Sequence, residues 1–380
     1  MIYADYNGSA PICKDVREYL IKRLSEGPFA NPNAIHYMGS KVLMAMENAR
    51  SVCAKVLGAD FKQVIFNSGA TEGLSQAFHS VLHKNPKKEI IISGIEHSAV
   101  VNCAKYYQQD FGCTVKIVKT QANGIIDLED FKAQLTDDTA VVCIMAANNE
   151  TGVIQPYQEV SRICNDNQVP YICDTTQFIG KTLFNFKTSG ADYAVMSGHK
   201  IGAMTGTGIL LAKDPTTLKP IIIGGGQERG YRGGTQNYLG YETLAVALNY
   251  FEKHLDNIEA INSKRISFEK ELKKRFPDVV IIGEDSPRLA STTYVSYPGI
   301  HGQAVQIELE SQDIFVTTSS ACSDNEPVTS KVLKSMNVTD DIGRGVVRIS
   351  IGLCSDPAMY DTILDALTKT YEKLAKIKSY

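Results

Sequence analysis

Short apolar runs of strand length recur through the first half of the chain, at 64–67, 89–93, 115–119, 140–146, 170–173, 192–196 and 207–212. They read as buried strands. Between most of them the apolar positions change to a helical period, as in Val42 and Leu43, Met46, Ala49, Val52 and Cys53, then Val56 before Gly58. This alternation predicts an α/β unit with a largely parallel sheet covered by helices on both faces. Ligands of such sheets bind beyond the carboxyl ends of the strands.

Further along, Leu244, Leu248, Phe251 and Leu255 form one face of a helix that runs into a charged segment, 252–274, suited to linking two domains. The remainder predicts an α+β unit with strands near 279–282, 292–297 and 345–351. A closing helix follows, with Asp356 as N-cap, Pro357 at the first helical position and a stripe of Met359, Ile363, Leu367, Tyr371 and Leu374.

Composition narrows the class. With 380 residues, 43% hydrophobic and 21% charged, the chain is long enough for two domains with full cores. A net charge of −3 argues against a general nucleic-acid binder. The start, Met1-Ile2-Tyr3-Ala4-Asp5-Tyr6, has no signal-peptide pattern and no apolar run reaches spanning length, so the expected location is the cytoplasm with no membrane partner. The nine cysteines contain no C-x-x-C pair, which fits neither a disulfide framework nor a zinc ribbon, and no metal site is expected. Cys53, Cys143 and Cys173 read as small core residues. Cys322 differs, because it lies in the polar, turn-forming stretch 317–325.

Three segments carry candidate chemistry. Ser197-Gly198-His199-Lys200 closes one predicted strand, where a lysine is desolvated and its amine kept partly neutral, as a Schiff-base lysine requires. Asp174 and Gln177 close another. An aspartate for a pyridine nitrogen and a lysine for an aldehyde are the protein half of pyridoxal phosphate (PLP) catalysis. Gly69-Ala70-Thr71-Glu72-Gly73 joins a strand to a helix, and free N–H groups at such a junction bind phosphate. Taken alone, that turn is equally a tight connection.

Along nearly its whole length the chain resembles the cysteine desulfurases of the PLP-dependent class V aminotransferase group. The matching motifs are Asp5-Tyr6-Asn7, Asn31-Pro32, Ser68-Gly69-Ala70-Thr71-Glu72, Glu96-His97, Asn148-Asn149-Glu150-Thr151-Gly152, Asp174-x-x-Gln177 and Ser197-Gly198-His199-Lys200. They continue with Gly224-Gly225-Gly226-Gln227-Glu228-Arg229-Gly230, Arg232-x-Gly234-Thr235-x-Asn237, Ser319-Ser320-Ala321-Cys322 and Arg348-Ile349-Ser350. The resemblance implies a fold-type I PLP transferase. Residues 12–258 would form the large PLP-binding domain. Residues 1–11 and 259–380 would form a small domain carrying the cysteine loop and a carboxylate-binding arginine.

By the same resemblance, Lys200 holds PLP and later moves the Cα proton. Asp174 pairs with the ring nitrogen, Gln177 bonds the phenolic oxygen, and His97 stacks on the ring. Thr71, Ser197 and His199, with the backbone amides of Ala70 and Thr71, hold the phosphate. Thr235 reaches the same phosphate from the other subunit, which implies a homodimer with shared sites. Arg348 clamps the substrate carboxylate with a bidentate fork, and Asn149 and Asn31 help to position cofactor and substrate. Cys322 accepts sulfur from L-cysteine, leaving L-alanine and an enzyme persulfide for an iron–sulfur scaffold or a tRNA-thiolation protein. Its loop, about ten residues from Thr317 to Glu326, spans at most ~35 Å when extended, as in the housekeeping and nitrogen-fixation branch.

Two segments depart from the family pattern. Gly202-Ala203-Met204-Thr205-Gly206 replaces the usual Gly-Pro-Lys-Gly after the lysine, and Gly8-Ser9-Ala10-Pro11 replaces Ala-Thr-Thr-Pro. The competing readings are a selenocysteine lyase or related class V β-lyase, and a sulfur-delivery partner whose docking surface matters more than turnover.

Overall fold

The computed structural model describes residues 1–318 and 328–377. Twelve strands follow in chain order: β1 Ile2–Tyr3, β2 Val64–Asn67, β3 Glu89–Ser93, β4 Thr114–Val118, β5 Thr139–Cys143, β6 Tyr171–Asp174, β7 Tyr193–Ser197, β8 Gly208–Ala212, β9 Val280–Ile281, β10 Thr292–Ser296, β11 Ile314–Phe315 and β12 Val346–Ser350.

Seven of them make one sheet in the order β2-β8-β7-β6-β5-β3-β4. All neighbours pair in parallel except those of β8, which runs antiparallel to β2 and β7. The short connection from Ser197 to Gly208 explains the reversal, since a parallel return needs a longer crossover. Successive residues feed opposite faces. In β7, Tyr193 and Val195 join one apolar cluster, while Ala194 and Met196 join the other. In β2, β5, β6, β7 and β8 every residue is buried, which is why these strands read as near-continuous apolar runs rather than alternating ones. Cys53, Cys143 and Cys173 are fully buried core residues, as expected.

The predicted run 140–146 splits into β5 and a buried extension. Ile144 and Ala146 continue beside β6 through single backbone bonds, Ile144 N to Ile172 O (3.2 Å) and Ala146 N to Asp174 O (2.9 Å). Their burial, not a full ladder, keeps them apolar.

The helix Ala70–Leu82 covers one face of the sheet, burying Leu74, Ala77, Phe78 and Leu82. Burial of Phe78 alone stabilises by about 2 kcal/mol. Gly73 lets this helix approach closely, because a Cβ there would lie 2.9 Å from Val195 Cγ1.

After the helices Tyr238–Lys253 and Asn257–Arg275, an antiparallel sheet in the order β12-β10-β9 packs with the helices Gly302–Glu310 and Met359–Ile377 around Phe268, Val295, Val347, Ile349, Leu367 and Tyr371. The closing helix, Met359–Ile377, starts three residues after the expected N-cap Asp356, whose Oδ1 accepts from Ala358 N at 2.9 Å in the turn that leads into it. The unpredicted pair β1 and β11 runs parallel and brings Ala4 into the same cluster. No described helix is long and apolar enough to cross a membrane.

Candidate active site

The carboxyl ends of β2, β3, β5, β6 and β7 lie along one edge of the large sheet, and the reversed β8 brings its first residue there. Gly208 stands opposite both Asn67 and Ser197. A Cβ on it would fall 2.5 Å from Gly69 Cα and 2.6 Å from the Met196 carbonyl, so the strand-to-helix turn closes only over glycine.

Above this edge lies a cleft of about 240 Å³. Ten of the expected residues line it: Ala70, Thr71, His97, Asn149, Asp174, Gln177, Ser197, His199, Lys200 and Arg348. The Lys200 amine donates to the carbonyls of Asn7 (2.8 Å) and Gly8 (2.6 Å). Asp174 ends β6, is buried, and accepts from Thr176 N through Oδ1 at 3.0 Å. Ser197 Oγ accepts from Ala70 N at 2.8 Å, tying β7 to the helix N-terminus.

The two histidines are held neutral by their surroundings. Burial lowers the His97 pKa, with the Lys200 charge adding and Asp174 opposing. Its Nδ1 caps the helix Ser98–Phe111 by accepting from Ala99 N at 3.1 Å, so Nε2 carries the proton of the neutral ring. Burial, then the charge of Lys200, pushes His199 down to about 4. Its Nδ1 meets Ser9 Oγ at 3.1 Å.

Arg348 lies on β12, so the small sheet supplies a wall of the cleft. Its Nη1 donates to Asn149 O (2.9 Å) and its Nη2 to Asp5 Oδ1 (2.7 Å). Its Nε is buried with no partner among the described residues, which leaves donor capacity for a carboxylate.

Asn31 and Thr235 do not line this cleft; both are exposed. Asn31 Oδ1 accepts from Asn33 N at 3.0 Å, as in a turn. Cys322 lies outside the described residues. The sequence reading assigned no site role to Asn7, Gly8, Thr176 or Met145, which also line the cleft. Asn7 stood in a recognised motif, but its contact is a backbone carbonyl, which every residue type offers.

The two departing segments meet. A Cβ on Gly202 would fall 2.9 Å from the Pro11 carbonyl, and the residues flanking the two segments bond as well, Cys13 N to Gly202 O (3.0 Å) and Ala10 N to His199 O (2.9 Å). With Tyr250 and Cys354 they border a second cavity of about 210 Å³ that shares Lys200 with the cleft.

The donor set fits PLP. It offers hydroxyls and a helix N-terminus for a phosphate, a buried carboxylate for a ring nitrogen, and an amine between them. The Aminotransferase class-V family matches residues 2–359. The chain belongs to that family. A relative named cysteine desulfurase 2, from Trichormus variabilis (strain ATCC 29413 / PCC 7937), is 32% identical over 381 residues, covering 100% of this chain and 95% of its own. A solved structure of a NifS-like protein superposes with a TM-score of 0.90 at 32% identity, covering 98% of this chain and 100% of that one. A second, described as SspA in complex with cysteine, gives a TM-score of 0.81 at 28% identity over 92% of this chain and 99% of that one. The class-V chain described above is therefore a cysteine desulfurase, and its cofactor is PLP.

Proposed function

We propose that this desulfurase binds PLP in the cleft through Lys200 and transfers sulfur from L-cysteine to Cys322. The overall step is balanced: L-cysteine and an enzyme thiol give L-alanine and an enzyme persulfide. The observation that carries the assignment is the convergence of Lys200, Asp174, His97, Ser197 and Arg348, from four separate segments, in one cleft. The solved cysteine complex of a structural neighbour supports an amino-acid thiol as substrate.

Bound PLP supplies an electron sink for bond cleavage at the substrate α-carbon. Asp174, buried at the end of β6, would pair with the ring nitrogen. The hydroxyls of Ser197 and Thr71, with the amides at the helix start, bind the phosphate. His97 would stack on the ring, Gln177 would bond the phenolic oxygen, and Lys200 would move the Cα proton. Arg348 takes the substrate carboxylate on its uncommitted N–H groups, in a fork that lysine does not match.

The acting unit is a homodimer in which Thr235 completes the phosphate site of the other subunit. The persulfide passes to an iron–sulfur scaffold or a tRNA-thiolation protein.

The test is turnover of L-cysteine with a reductant, measuring sulfide and alanine together, in wild type and Cys322→Ser. Equal yields are expected in wild type, with a persulfide mapped to Cys322 by alkylation. The serine variant is expected to keep the cysteine-dependent spectral change and to lose nearly all sulfide release, because a hydroxyl is a poor nucleophile toward sulfur. Undiminished sulfide from that variant, or turnover of selenocysteine alone, would support the lyase reading instead.

A further inference from the structure

Lys181 is a lysine only 7% exposed that borders the second cavity, behind the cleft residues Asn7 and Gln177, with no role in the chemistry above. Its Nζ donates to Asn7 Oδ1 at 2.5 Å and to Gln177 Oε1. Both acceptors belong to amides whose ends differ chemically, and an amine donor of this kind selects the oxygen end of each. The nitrogen ends then have fixed directions. Gln177 Nε2 donates to the Asn7 carbonyl at 3.0 Å, the same oxygen that receives the Lys200 amine at 2.8 Å. Asn7 Nδ2 donates to Asn149 O and Thr292 Oγ1, both at 3.1 Å, and Asn149 O also receives Arg348 Nη1.

We propose that Lys181 is a positioning residue of the desulfurase: by donating to Asn7 and Gln177 together, it fixes which way both amides face and so presents the Gln177 nitrogen on the side of Lys200. The protonation of Lys181 agrees with this geometry. Burial, with repulsion from Lys200 and Arg348, pushes its pKa well below the ordinary value, and Asp5 opposes weakly. That favours the form with two N–H bonds, and two acceptors face it. The inference rests on the reading of Gln177 and Lys200 as cofactor contacts.

The consequence is spectroscopic. A Gln177 amide nitrogen beside the phenolic oxygen of PLP stabilises its ionised form, whereas a rotated amide places an oxygen there and favours protonation. The experiment is a pH titration of the visible absorption band of the purified PLP-loaded protein. It compares wild type, Lys181→Met, Lys181→Arg, Gln177→Ala and the double variant Lys181→Met/Gln177→Ala, with circular dichroism to establish folding.

Lys181→Met is expected to raise the midpoint by about one unit, a tenfold change in proton affinity. Gln177→Ala is expected to raise it similarly, Lys181→Arg to stay near wild type, and the double variant to equal Gln177→Ala. An unchanged midpoint in Lys181→Met, or a further rise in the double variant over Gln177→Ala, overturns positioning through Gln177. The second result would mean that Lys181 acts on Lys200 by charge alone. A wild-type protein with no visible band overturns the assignment of the cleft, and this inference with it.

Discussion

Glu96 precedes His97, which lines the cleft, and is itself buried to 8% exposure. Its Oε1 accepts from Ser93 Oγ (2.5 Å) and Met145 N (3.1 Å), while Oε2 is buried without a partner among the described residues. Burial, with the nearby Asp174 charge adding, pushes its pKa up to about 8 from an ordinary 4.5. Between those values the folded protein holds a proton that the unfolded chain releases. This contribution to stability is therefore full below 4.5 and lost as pH rises through 8. Glu96→Gln has no such proton to lose. Its melting temperature relative to wild type is expected to climb between about pH 5 and about pH 9, measured by scanning calorimetry; a constant offset would contradict the assignment.

At this scale the sequence was informative wherever a side chain does the chemistry. Lys200, Asp174, His97 and Arg348 are distinctive residues in distinctive settings, and all four line the cleft. The carbonyls of Asn7 and Gly8 carry no such signature. Lys181 follows a glycine in an ordinary stretch, and only its burial sets it apart.

The element that shapes the cleft is the turn into the helix Ala70–Leu82. Its N-cap, Gly69, has φ 152°, and a Cβ there would meet Ser197 Oγ at 3.3 Å. Gly69→Ala is expected to cost about 1–3 kcal/mol of stability, the range for a side chain forced into a glycine-only backbone region. Because the strain falls on the proposed phosphate contact, PLP affinity should fall with it. Urea unfolding and PLP titration measure the two effects, and unchanged values in both would show that the turn relaxes freely.

The inner strands of the large sheet were legible because both faces of each are buried, and the edge strand β4, with Thr114 and Ile117 exposed, was legible as a short β-branched run. β1 and β11, two residues each, are too short for any period to register. Asn31 and Thr235 matched family motifs without lining this cleft, since a motif fixes neighbours in sequence and not the subunit in which they act.

For the whole molecule, hydrogen bonds gather three exposed segments. Gly233 N donates to Ile222 O (2.9 Å) and Asn33 Nδ2 to Gln236 Oε1 (3.2 Å). Thr235 lies between Gly233 and Gln236, and the exposed apolar residues Ile35 and Ile223 lie two residues from Asn33 and one from Ile222 in sequence. Arg232 pairs with Glu72 at 2.9 Å, fixing the segment to the helix that opens the phosphate site. An exposed apolar surface beside a residue with a proposed role in the other subunit suits a second copy of the chain. Mixing Lys200→Ala and Thr235→Ala chains is then expected to yield hybrid dimers with one intact site. Hybrids that never exceed their parents in PLP retention or sulfide release would rule out the contact in trans. We propose a division into domains at 258/259; Val295, Val347 and Ile349 pack in a cluster of their own, while Tyr294 of β10 and Val346 of β12 join the cluster of the large sheet.

The segment holding the Lys200 amine also bears on how the protein is made. Asp5 is bound by Arg348, and Asn7 N by Ser350 Oγ, each across 343 residues of chain. During synthesis, residues 2–7 leave the ribosome long before β11 and β12 exist to receive them. The large sheet, whose strands all lie before residue 213, is complete earlier. Lys200 and the whole large sheet are thus made before Arg348 and Ser350 exist to complete the binding of residues 5–7, and the closing of the cleft becomes a late event in the birth of the molecule.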